Sequence, residues 1–302
     1  MKNSYRKDFE DFMRFIDFHE DAIEAQLEAF DKVFANDKCR AYLTAIVDRY
    51  RDTHELEFGM LVNDAVLSAR ELKDKEYVFI LLFNLCTAMY SYPVYEAKGL
   101  SRKVWHDTME DYRFKLNECR RMYGEWGTFV NWFGRFFTAD CITFNRLEFE
   151  LESAAEDLAT DELTVRKGQL VVNVHIPSNE KIPLSKEECD KSYHLAAEYF
   201  APYFGDEPII FMCGSWLLHE AMKDFLPEDS NILRFASEYV IASRWDSTED
   251  LWRIFYIKDY DGNPENLPEE TSLQRGYKKH LMDEKMPGAA LGYRKHVKKS
   301  DQ

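Results

Sequence analysis

Basic residues, paired cysteines and long apolar runs are scarce in this 302-residue chain, and each shortage closes off a class of function. Lysine and arginine number 39 against 55 aspartates and glutamates, a net charge of −16. Nucleic acid is therefore not expected as a partner, because phosphate binding needs a basic surface. The surplus acidity either suits cationic ligands such as amines or serves solubility. The six cysteines (Cys39, Cys86, Cys119, Cys141, Cys189 and Cys213) include no C-x-x-C pair. That spacing fits neither a zinc cluster nor a dense disulfide framework, so no metal is expected. It fits reduced, mostly buried thiols in a cytoplasmic protein. The longest apolar run, Tyr77 to Tyr92, is interrupted by Asn84. It falls short of the roughly 20 residues a membrane span needs, and reads as a buried helix. The opening MKNSYRKDFEDF shows no apolar core of a signal peptide. No repeat period or low-complexity segment stands out, and nothing signals an oligomeric state.

What is present is a globular composition, 45% hydrophobic and 15% aromatic, long enough for two ordinary domains. Residues 1–138 read as helix after helix. Phe9, Phe12 and Ile16 recur at helical spacing, as do Ile23, Leu27, Phe30 and Phe34, and then Leu43, Ile46, Val47 and Tyr50. Pro93 closes the Tyr77–Tyr92 helix. Ser101 is placed to cap a helix whose apolar face is Trp105, Met109, Tyr112, Leu116 and Cys119. After Gly124 and Gly127, the spacing of Trp126, Phe129, Val130, Phe133, Phe136 and Phe137 predicts an aromatic-rich helix. Such a stripe reads as core or interface before it reads as a ligand platform.

From Cys141 the apolar period falls from 3.6 to 2, and residues 139–302 read as a sheet with helices. In FNRLEFELE, Leu147, Phe149 and Leu151 share one face, and Arg146, Glu148, Glu150 and Glu152 share the other. Three carboxylates on one strand face are either solvated or line a cleft in which one acts as a general base. In QLVVNVHIP, Val171, Asn173 and His175 share a face. Ser185 and Glu188 have the form of a capping box. PIIFMCGSW follows, where Gly214 marks a bulge or a close approach of backbone to ligand. Leu217–Leu226 is predicted helical up to Pro227, and Asp229 or Ser230 caps a helix from Asn231 to Tyr239. VIASRW and LWRIFYIKD read as strands, Thr271 starts a last helix, and GAALGYRK is a strand or extended tail.

The element order after Phe144 is strand, strand, strand, helix, strand, helix, strand, strand. Together with FNRLEFELE, VHIP, CGSWLL, SNILRF and LPEETSLQR in succession, it resembles a bacterial acyltransferase-like family. Its members join a helical N-acyltransferase-type N-terminal domain to a C-terminal domain like the GNAT (N-acetyltransferase) fold. The resemblance implies an α+β fold: a helical domain over 1–138, then a GNAT-like mixed β-sheet flanked by helices over 139–302. It implies N-acyl transfer from an acyl thioester, such as acyl-coenzyme A, to an amine acceptor. On that reading QLVVNVHIP and IIFMCGSW splay apart, and a backbone N–H in the gap polarises the thioester carbonyl. Glu148, Glu150 and His175 are then the candidate bases, and Tyr239 is the candidate acid for the departing thiolate. Asn173, Cys213, Gly214, Ser215, Trp216 and Asn231 would line the substrate site.

One segment departs from the fold's pattern. GNAT enzymes hold the coenzyme A diphosphate on a glycine-rich loop, Q/R-x-x-G-x-G/A, at a helix start. This chain has PSNEKIPLSKEE there, with no glycine, two prolines, and Glu187 and Glu188 in the first helical turn. The departure leaves open a second reading, a GNAT-like domain without catalysis that binds a small ligand or a protein partner. A third reading makes Cys213 a nucleophile with His175 as its base, which requires the two to face each other.

Overall fold

The computed structural model describes residues 2–296, and the chain divides into two compact units, Met1–Thr143 and Phe144–Gln302. The first unit is helical. It comprises α1 (Lys2–Phe15), α2 (Glu20–Ala35), α3 (Asp37–Thr53), α4 (Phe58–Leu72), α5 (Glu76–Ala88), α6 (Tyr92–Ala97), α7 (Arg102–Met109), α8 (Asp111–Tyr123) and α9 (Gly134–Phe137). Every residue of α5 from Phe79 to Ala88 is buried. This helix therefore shows an unbroken apolar run where its neighbours show a stripe. α1 to α4 all pack on it. Each fully buried leucine or phenylalanine here stabilises the unit by roughly 1.5–3 kcal/mol. Asn84 is tolerated at its centre because its amide donates to the Ile80 carbonyl at 2.8 Å. Ser101 caps α7 by accepting the Val104 N–H. No described helix is long and apolar enough to cross a membrane.

The aromatic-rich helix expected after Gly124 is mostly absent, since only Gly134–Phe137 coils. α8 ends at Gly124 in the left-handed region, φ 71°. Gly127 then lies against the start of α5. A Cβ at Gly127 would stand 2.4 Å from the Tyr77 carbonyl carbon. The Thr128 N–H donates to the Tyr77 carbonyl at 3.0 Å. Backbone contact with α5 thus replaces helical hydrogen bonding through this stretch. The rings still reach the core: the Phe133 ring packs tilted against that of Tyr112, with centroids 4.2 Å apart.

A short strand, β1 (Cys141–Phe144), carries the chain over the division. The second unit continues with β2 (Leu147–Ser153), a small hairpin of β3 (Leu158–Ala159) and β4 (Thr164–Val165), and β5 (Leu170–His175). Then come α10 (Lys186–Phe204), β6 (Ile210–Ser215), α11 (Asn231–Ser237), β7 (Val240–Asp246), α12 (Leu251–Phe255), α13 (Ser272–Met282) and β8 (Gly288–Lys295). Its strands lie in the order β2-β5-β6-β8-β7. Only β5 and β6 run parallel. Strand alternation sorts the side chains between two faces. Val171, Ile210, Met212, Leu291 and Tyr293 meet Leu158, Leu163 and Val165 of the hairpin on one. Phe149 and Phe211 point to the other, where Tyr193 of α10 packs at 5.9 and 4.9 Å.

Two expectations for this half need correction. Leu217–Leu226 is two 3₁₀ turns, Trp216–Leu218 and Glu220–Asp224. Ser215 Oγ and His219 Nδ1 each accept the N–H two residues on, and so restart the chain twice. LWRIFYIKD is not a strand. Leu251, Ile254 and Phe255 are buried at i, i+3 and i+4 in α12, which Tyr256 ends at φ 53°. Of the two forms open to GAALGYRK, the structure takes the strand, β8, paired between β6 and β7.

The tight approach at Gly127 gives a test. Gly127→Ala forces the Tyr77 backbone aside and should destabilise the helical unit by about 1–3 kcal/mol in urea unfolding. An unchanged midpoint would mean that this contact does not hold the 124–133 segment.

Candidate functional site

The parallel pair β5 and β6 is in register only at Val172 with Phe211 and at Asn173 with Met212. β5 runs on to His175 and β6 to Ser215, but the register between them goes no further. On their outer sides both strands stay paired, β5 with β2 to Glu148–His175 and β6 with β8 to Ser215–Ala290. A gap therefore opens between the C-terminal ends of these two strands. The Val174 N–H donates to the Asn173 side-chain oxygen at 3.0 Å. Gly214 lines the gap and is exposed; a Cβ on it would meet only Leu291 Cδ1, at 3.8 Å.

Antiparallel pairing places Glu148 opposite His175 and Glu150 opposite Asn173, so these four share one sheet face. Glu150 Oε1 lies 2.7 Å from His175 Nε2 and accepts from Asn173 Nδ2 at 3.3 Å. The Glu150 side chain is 4% exposed and that of His175 is 40% exposed. The carboxylate thus fixes the ring from below: Nε2–H donates to it, and Nδ1 is left as the basic nitrogen. Glu148 is buried as well. Burying two carboxylates costs several kcal/mol unless charge and hydrogen bonds compensate. Arg146, buried before β2, contributes part of that compensation. Its guanidinium donates to the Pro177 carbonyl at 2.9 Å, and burial lowers its pKa while Glu148 opposes the shift. Two buried carboxylates beside an open gap make this face the candidate site.

The remaining candidates lie elsewhere. Tyr239 follows α11 on the α10 face, with its hydroxyl 2.5 Å from that of Tyr193. Burial, with Tyr193 and Cys213 beside it, holds it well above the usual tyrosine range. Cys213 is fully buried on the same face, and burial pushes its thiol up to about 12. His175 and Cys213 thus point to opposite faces, so the facing arrangement that a cysteine nucleophile requires is not formed. Ser215 caps the turn after β6. Trp216 lies 6.1 Å from the Tyr277 ring, among the helices. Asn231 is exposed at the first turn of α11. Two contributors were not picked out in the sequence, Arg146 and Tyr193. Arg146 shares the strand parity of Glu148, and Tyr193 is a hydroxyl on an otherwise apolar helix face.

The segment before α10 and its first turn are held by local hydrogen bonds and ion pairs. Ser185 Oγ takes the Glu188 N–H, and Asn179 Oδ1 takes the N–H groups of Lys181 and Ile182. Lys186 is held by Asp190 and Glu238, and Lys191 by Glu187 and Glu188.

Residues 142–294 match the family model of the GNAT-like C-terminal domain, and residues 7–139 match that of the N-acyltransferase N-terminal domain. No curated protein sequence matches the chain. Solved structures share the fold. An acyltransferase in complex with decanoyl-CoA and teicoplanin is 20% identical, with TM-score 0.71 over 94% of this chain and 86% of that one. An acyltransferase mutant in complex with octanoyl-CoA is 19% identical, with TM-score 0.69 over 95% and 87%. An acyltransferase in complex with decanoyl-CoA alone is 16% identical, with TM-score 0.61 over 96% and 99%.

The raised, buried thiol leads to a direct expectation. Iodoacetamide should leave Cys213 unmodified in the folded protein and alkylate it in denaturant, as read by peptide mass mapping. Rapid native modification would restore the nucleophile reading.

Proposed function

From a chain that belongs to the family joining an N-acyltransferase N-terminal domain to a GNAT-like C-terminal domain, we propose an N-acyltransferase that moves an acyl group from a thioester to an amine. The observation that carries this reading is the Glu150–His175 pair at the mouth of the β5/β6 gap. The thioester lies in the gap, with its carbonyl toward a backbone N–H of the parted strands, a donor for the oxyanion. His175 Nδ1 removes a proton from the acceptor ammonium, directly or through one water, and Glu150 stabilises the imidazolium that forms. The freed amine attacks the carbonyl carbon, a C–N bond forms and the C–S bond breaks. The leaving thiolate takes up a proton, so the products are an amide, a thiol and one released proton. Tyr239 has no part in this scheme, because its hydroxyl is engaged with Tyr193 on the opposite face. Glu148 supports the field beneath His175.

Acyl-coenzyme A is the proposed donor, in line with the acyl-CoA complexes of the similar acyltransferases. Its diphosphate would then lie away from the start of α10. The closed start of that helix is also what favours the alternative, a GNAT-like domain that binds without turnover. Calorimetric titration with acetyl-, succinyl- and decanoyl-coenzyme A, followed by amine screening, separates the two. Micromolar binding with turnover supports the transferase. Binding without turnover of any amine supports the alternative, and no binding overturns both the donor and the gap assignment.

With a turnover assay in hand, Glu150→Gln and His175→Ala should each lower kcat by about 10²–10⁴-fold, as loss of a general base does. A rate within a few-fold of the parent enzyme would remove the pair from the mechanism.

A further inference from the structure

A cavity of roughly 460 Å³ opens within the helical unit, between α1, the residues after α5, and α7. The acyl-transfer scheme does not use it. α1 presents Asp8, Asp11, Phe12 and Phe15 to it, at i, i+3, i+4 and i+7, which is one helix face. α7 presents Arg102 and Trp105, three residues apart. The aromatic wall is preformed. Phe15 stacks on Trp105 with ring centroids 5.1 Å apart, and the Phe12 ring lies 5.7 Å from that of Trp105. The Trp105 indole N–H donates to Ser91 Oγ at 2.8 Å, and both residues are buried. The indole is therefore fixed and cannot turn to fill the space.

Two opposite charges line this cavity without meeting. Arg102 and Asp8 are both exposed, and neither makes a hydrogen bond or an ion pair with a described residue. The Arg102 guanidinium carbon lies over the Phe15 ring at 5.4 Å, and over the Tyr92 and Trp105 rings at 5.8 Å each. Contact with ring faces holds the charge in place but satisfies none of its N–H donors, which lie in the guanidinium plane. Asp11, by contrast, is paired with Lys7 along α1. A ligand that completes both ends offers an anion to Arg102 and a cation to Asp8, with an apolar body against Phe12, Phe15 and Trp105.

We propose that this cavity binds an amphoteric small molecule, an α-amino acid with an aromatic side chain. Its carboxylate takes two N–H donors of Arg102, the bidentate pairing that guanidinium geometry favours. Its ammonium pairs with Asp8, and its ring lies against the aromatic wall, where ring–ring contact adds to the gain from burial. The volume falls within the range of small-ligand sites, about 300–1,000 Å³. A plain amine or a plain carboxylate would leave one of the two charges without a partner. Binding here does not depend on the β5/β6 gap, so it stands or falls separately from acyl transfer.

The test is calorimetric titration of the full-length protein with phenylalanine, tyrosine and tryptophan, and with two truncated probes. Phenethylamine lacks the carboxylate, and 3-phenylpropionate lacks the ammonium. One site is expected for at least one of the amino acids. Each truncated probe should bind about tenfold or more weakly than phenylalanine, the scale of one hydrogen bond to a charged group. Arg102→Gln should abolish the preference for phenylalanine over phenethylamine, and Asp8→Asn the preference over 3-phenylpropionate. Both side chains are exposed, so neither substitution disturbs the core. Lys103→Gln, exposed on α7, should bind as the parent protein does. No binding of any amino acid up to millimolar concentration overturns the proposal. Equal affinity for phenylalanine and both truncated probes overturns it too, as does a preference that survives both substitutions.

Discussion

Two cross-strand pairs, Glu148 with His175 and Glu150 with Asn173, depend on one register, and the candidate site depends on both. A strand's side-chain period is two, so a one-residue slip would turn every carboxylate to the α10 face and expose Phe149. Phe149 is held against Tyr193 at 5.9 Å and Phe211 at 5.7 Å. The apolar face therefore enforces the register, and the polar face uses it. The same packing explains how two acids are tolerated in a buried strand, because they could leave only if three aromatic rings were exposed with them.

The α10 face has its own polar network, which is structural. The Arg294 guanidinium lies 3.8 Å from the Tyr193 ring centroid and pairs with Glu238 at 3.0 Å and Asp190 at 3.4 Å. Glu238 closes α11 and Asp190 lies in α10, so these contacts join β8 to two helices. Tyr239 and Cys213 sit within this locked layer. Their raised pKa values follow from the absence of water, the opposite of the environment that a reactive thiol or a titrating acid requires.

The glycine-free segment before α10 is where this chain parts from the usual form of its fold. The β5/β6 gap needs only that two parallel strands stop pairing, a property of backbone geometry. A phosphate cradle needs unpaired amides at a helix start, and here Ser185 takes the Glu188 N–H while Asn179 takes two N–H groups of the preceding loop.

The sequence by itself determined the parts whose physics is local. α5 follows from its unbroken apolar run, α7 from Ser101, and α13 from Thr271 with Gln274, a reciprocal capping box. The alternation of LEFELES and LVVNVH placed Glu148, Glu150, Asn173 and His175 on two strand faces, though not on the same one. Tertiary structure decided everything that rests on contact between distant segments. Residues 124–133 gave up a helical spacing where Gly127 packs on the Tyr77 backbone and the Thr128 N–H bonds to its carbonyl. LWRIF coiled because its i, i+3 and i+4 residues found a helical core, which a period-two reading could not foresee. Register alone brought Glu150 within 2.7 Å of His175 and sent Cys213 and Tyr239 to the far side. Alternation says only that side chains divide between two faces; which face meets which is fixed by pairing, and pairing is a property of the folded sheet.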